Sequence, residues 1–80
     1  MSEPVDREIT LILNEFKVKG KVRLPGPDQG LPAASADPFL DVHDATLFEH
    51  GGKQVLLRQI KVRRHSIALY YFEDDVQARR

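Results

Sequence analysis

Cysteine is missing from all 80 residues. That removes disulfides, thiolate zinc sites and cysteine nucleophiles from consideration, and it suits a reducing compartment. Net charge is missing too. Twelve basic and twelve acidic residues cancel, so no global field draws the chain toward nucleic acid or a membrane. No apolar run approaches the roughly 20 residues that span a bilayer. The opening stretch, MSEPVDRE, holds no apolar segment of the kind that marks a secretory leader. There is no G-x-S-x-G, H-E-x-x-H, P-loop or G-x-G-x-x-G pattern, no internal repeat and no amphipathic helical stretch. These absences leave one small cytoplasmic domain, expected to be no enzyme and to carry neither metal nor cofactor.

The residues present alternate. Ile9, Leu11 and Leu13 are odd-numbered, whereas Phe16, Val18, Val22 and Leu24 are even-numbered. Period two with β-branched residues predicts strands. The change of phase needs a tight turn or a bulge near Asn14-Glu15. A two-residue turn there sets Leu11 opposite Val18 and Ile9 opposite Gly20. Glutamate suits a type I′ turn poorly, so a continuous bulged strand stays open as the alternative. Gly20 falls inside a strand, where glycine marks a bend or a close backbone approach. Residues 25–38 hold four of the five prolines and two of the five glycines. Proline cannot donate to a ladder, so this stretch reads as a long loop with room for one short helical turn in PAASAD. Beyond it, Gly51-Gly52 predicts a second hairpin pairing Phe48 with Val55 and Leu47 with Leu56. Its apolar side chains on both faces predict cover on both sides. After RRHS, IALYYF is the last strand.

The expected organisation is a flexible N-terminus over 1–8, one domain over 9–72 containing the loop 25–38, and a flexible acidic and basic tail over 73–80. Strands are expected near 8–13, 16–24, 43–50, 53–63 and 66–72. The fold class is all-β: a small, strongly bent, five-stranded antiparallel barrel.

Three constellations could carry function. Lys17, Lys19, Lys21 and Arg23 share one strand face because side chains alternate, and Arg58, Lys61, Arg63 and Arg64 add a second basic stretch. If the two adjoin, Lys17, Lys19, Lys21, Arg23, Arg63 and Arg64 form a polyanion site able to grip phosphates. The basic strand offers no aromatic for base stacking, and lysine on an exposed strand face also serves solubility. Second, Ala68, Tyr70 and Phe72 form one apolar row of the last strand while Ile67, Leu69 and Tyr71 form the other. A strand apolar on both sides predicts cover by the chain's own loop or by another subunit, and aromatic side chains favour interfaces. The expected interface is Ala68, Tyr70 and Phe72. Third, Asp41 and His43 share a face, with Asp44 opposite. Such a pair is half of an acid–base or metal-ligand set, but no sequence-local third member follows.

The pattern FKVKGKVRL, a long loop, DATLF with GGK, and finally IKVRRHSI resembles small uncharacterised bacterial all-β proteins. That likeness implies an SH3-like or Sm-like fold and no particular activity. Gly20-Lys21-Val22 and Arg63–Ile67 are also similar to the two motifs of Sm-like RNA-binding proteins. Those proteins carry glycine near the position of His65, and the aspartate and asparagine after their first motif have no counterpart here. The leading expectation is a protein-interaction or self-assembling module, its partner a second copy or another protein. Nucleic acid bound on the basic face is the alternative.

Overall fold

A computed structural model describes residues 3–26, 30–31 and 38–78 of the chain. The expected loop interior with its helical turn, and the terminal Arg79-Arg80, lie outside these residues. The chain is all-β. Its strands are β1 (Val5–Leu13), β2 (Phe16–Leu24), β3 (Phe39–Glu49), β4 (Gln54–Arg63) and β5 (Ile67–Phe72). Short 3-10 turns, Arg64–Ser66 and Glu73–Asp75, precede and follow β5. All pairings are antiparallel, and the strand order is β4-β3-β2-β1-β5. β4 and β5 are therefore the two edges of one sheet. The sheet does not close on itself, so the barrel expectation reaches further than the observed five-stranded antiparallel sheet. Among the described residues no helix is long and apolar enough to cross a membrane.

Parity dictates the first hairpin. Leu11 lies opposite Val18 and Ile9 opposite Gly20, across a two-residue turn at Asn14-Glu15. Neither turn residue takes a positive φ, so the type I′ geometry that glutamate would resist is not used. β1 starts at Val5, earlier than expected, because Val5 has a partner in Leu24.

The second hairpin differs from expectation by one residue. Phe48 faces Gln54 and Leu47 faces Val55. The loop is three residues long: Glu49 N–H donates to Lys53 O at 2.8 Å and Gly52 N–H to Glu49 O at 3.1 Å. Gly51 and Gly52 both sit at φ 95°, a conformation that glycine reaches without steric cost. A one-residue slip moves a strand's side chains to the other face. Leu56 consequently projects outward, 80% exposed, and the hairpin is not covered on both sides.

β3 carries a bulge. Lys19 faces Thr46 but Lys21 faces His43, so β3 spends one extra residue. Asp44 takes that place at φ 49°, a left-handed conformation that aspartate tolerates better than most residues. The bulge shifts parity along β3, so Leu40 and Val42 before it and Ala45 after it reach the same core. Ile9, Leu11, Val18, Val22, Leu24, Val62 and Phe72 complete that core. Phe16 does not join it. At 41% exposure it sits beside the turn, outside the buried core.

Candidate functional site

Lys17, Lys19, Lys21 and Arg23 do share the outward face of β2, because Val18, Val22 and Leu24 are buried on the other. Their neighbours are mostly acidic. Register sets Asp6 beside Arg23 and Glu8 beside Lys21. Arg23 Nε donates to Asp6 Oδ1 at 3.1 Å. Lys19 Nζ lies 3.7 Å from Glu73 Oε1, and Lys17 Nζ stands 4.8 Å above the Phe48 ring. β3 separates β2 from β4, so the structure does not set the two basic stretches side by side. Arg63 reaches the Phe39 ring at 6.0 Å, and Arg64 N–H donates to Pro38 O.

The hydrogen bond from Arg23 holds the Asp6 carboxyl below the ordinary aspartate value of 3.8; desolvation opposes it, and the charges of Arg23, His43 and Lys21 reinforce it. A carboxyl whose folded pKa is depressed contributes stability that is complete above its unfolded pKa and is lost as the pH falls through the folded one. The difference in urea midpoint between wild type and Arg23→Gln is therefore expected to be small and to shrink below about pH 4. A gap unchanged from neutral to acid pH would show that this pair contributes nothing.

The acidic run after β5 folds back over β1. Thr10, fully buried, donates from Oγ1 to Glu73 Oε1 at 2.5 Å. Arg7 reaches Asp74 Oδ1 at 2.6 Å and Asp75 Oδ2 at 3.8 Å, and its guanidinium lies 3.8 Å from the centre of the Phe72 ring. This clasp fixes the end of β5 and places carboxylates beside Arg7 and Lys19. Nothing local in the sequence announces it; the acidic triplet was its single trace.

Asp41 is engaged by Lys61 at 3.3 Å. His43, in register with Lys21 and Gln59, is exposed. No third histidine, aspartate or glutamate joins them in a metal-sized group among the described residues.

The apolar edge is the remaining surface. Among the described residues β5 pairs with β1 alone, setting Phe72 opposite Ile9, Tyr70 opposite Leu11 and Leu69 opposite Ile12; the register then shifts at Ala68, so that Ile67 lies opposite Leu13. Phe72 belongs to the core at 6% exposure, a correction to its place in the expected interface. It lies on the face that Ile9 and Leu11 bury. Tyr70 follows on the same face at 44% exposure, its ring edge-on to Phe72 at 6.0 Å. Ala68 is exposed as well. Leu69, on the opposite face and outside the expected set, is 54% exposed. Ala68, Leu69 and Tyr70 thus leave apolar side chains exposed along a strand that has one edge without a partner strand among the described residues. No protein-family model, curated protein or solved structure matches the chain, so its own surfaces are what bear on function.

Proposed function

We propose that this chain is a non-enzymatic interaction module that self-associates, or docks on another protein, through the β5 edge. One observation carries the reading. β5 is a sheet edge of six residues without a charge, a proline or a glycine, and its middle exposes Leu69 and Tyr70. An edge strand offers a row of unsatisfied N–H and C=O groups, and apolar side chains beside them invite strand addition. The short antiparallel strands and the long connection between β2 and β3 also support reading the sheet as an open variant of an SH3-like or Sm-like architecture.

The basic face of β2 is the weaker candidate, since Arg23 and Lys19 already lie against Asp6 and Glu73. The test is solution mass by light scattering over a concentration series, at low and high salt. A mass above that of one chain is expected in both, because apolar burial is not screened as surface charge is. A monomer in both, together with saturable binding of a fluorescent oligonucleotide whose log K falls by about 0.7 per phosphate contacted for each tenfold rise in salt, would move the function to Lys17, Lys19, Lys21 and Arg23.

A further inference from the structure

We propose that the β5 edge pairs with β5 of a second copy, antiparallel about a two-fold axis at Leu69, so that one continuous sheet runs through both chains. This rests on the interaction-module reading and supplies its occupant and register.

The two edges of the sheet differ in charge. β4 carries Arg58, Lys61 and Arg63. Two copies joined through β4 would bring these cations together, and charges of this kind guard edges against pairing. β5 carries none, but it is bracketed. Arg63, Arg64 and His65 precede it; Glu73, Asp74 and Asp75 follow it. A strand that is basic at its start and acidic at its end complements itself only when a second copy runs the opposite way.

Symmetry then fixes the register. A two-fold axis perpendicular to an antiparallel pair relates the two residues that face each other across it, so it must pass through a residue facing its own copy. Leu69 and Tyr70 are the central choices. An axis at Tyr70 sets Ala68 against the second copy's Phe72, which is already buried in its own core. An axis at Leu69 instead sets the two exposed Leu69 side chains together, at the start of the stretch Leu69–Phe72 that keeps regular register against β1; the register shift at Ala68 lies just before it. The antiparallel arrangement also brings the turn that holds Arg64 to the same end of the pair as the second copy's turn that holds Asp74 and Asp75. Although both carboxylates touch Arg7, their side chains remain 69% and 67% exposed, which leaves room for a second cation.

Because the chain has no cysteine, a single introduced thiol reports the register. Directly opposed strand residues approach disulfide geometry, so Leu69→Cys should form disulfide-linked dimers under mild oxidation at least about tenfold faster than Leu56→Cys, its more exposed counterpart on β4. A second pair of variants tests the charges. Arg64→Glu and Asp74→Lys should each lower the average solution mass, and an equimolar mixture should restore it, since in the mixed dimer each new charge meets its opposite. Circular dichroism of each variant separates lost pairing from lost folding. If wild type assembles while Leu56→Cys cross-links faster, the chain is still a self-associating module but not through β5; if the mixture stays as small as its components, the antiparallel β5 pairing is overturned while assembly itself stands. A monomeric wild type overturns the pairing outright, and the oligonucleotide titration then decides the broader reading.

Discussion

Phe72→Ala is expected to lower the unfolding free energy by about 3–5 kcal/mol, the largest loss of any single truncation on β5. The ring is buried at 6% exposure against Ile9, beneath the Arg7 guanidinium and edge-on to Tyr70. Truncation removes the transfer energy of the ring and opens a cavity, and it also deprives Arg7 of the surface it covers. A domain of this size has a thin core, and small proteins typically hold about 5–15 kcal/mol in total. The variant should therefore sit close to its unfolding transition at room temperature. Tyr70→Ala, half-exposed two residues earlier, should cost far less. Urea denaturation of both variants at several protein concentrations makes the comparison. A core role predicts a Phe72→Ala loss that does not depend on concentration. A loss that vanishes on dilution would return Phe72 to the interface.

That contrast shows where the sequence stops speaking. In IALYYF both rows are apolar, so period two reports a strand but not which face turns inward. The choice is made by β1, whose Ile9 and Leu11 face Phe72 and Tyr70 from nearly the whole length of the chain away. The first hairpin was more legible. Its odd and even apolar sets left a two-residue turn or a bulged continuous strand, and the turn reading already set Leu11 opposite Val18, as observed. The second hairpin offered two glycines that serve two- or three-residue loops equally, and tight-turn chemistry alone favoured the shorter. The deciding signal was present but distributed. Leu40 and Val42 change phase to Ala45 and Leu47, and Val55 and Leu57 change phase to Ile60 and Val62; only the three-residue loop aligns both changes. The pairing within the clasp was not readable from the acidic triplet. Thr10 and Glu73 are 63 positions apart, and a hydrogen bond of that separation leaves no local pattern. The same holds for the neutralised basic face. KVKGKVR shows its four cations plainly, but Asp6 and Glu73 reach them through pairing and chain return.

Gly20→Ala is expected to destabilise by about 1–3 kcal/mol, the usual range for forcing extra atoms into a packed interior. Glycine inside a strand is ordinarily a weakness, and replacing it with alanine at an unstrained site commonly adds about 0.4–1 kcal/mol through the unfolded chain. Here local packing decides the sign. A Cβ on Gly20 would stand 2.5 Å from Val42 Cγ1, 2.9 Å from His43 O and 3.2 Å from Ala45 Cα. Val42 is fully buried and cannot swing aside without displacing its own neighbours. The His43 carbonyl and the Ala45 Cα are backbone, held on either side of Asp44 where β3 takes its extra residue. Around the bulge β3 lies so close to Gly20 that only a residue without a side chain leaves space for it. Gly30→Ala provides the control, since a Cβ there meets nothing within 4 Å; it should be neutral or slightly stabilising. Thermal and urea melts of the two variants should therefore move in opposite directions or differ by the full overpacking penalty. Equal midpoints would mean that the bulge relaxes around the added methyl, and that β2 and β3 are not held as closely as Val42 and His43 require.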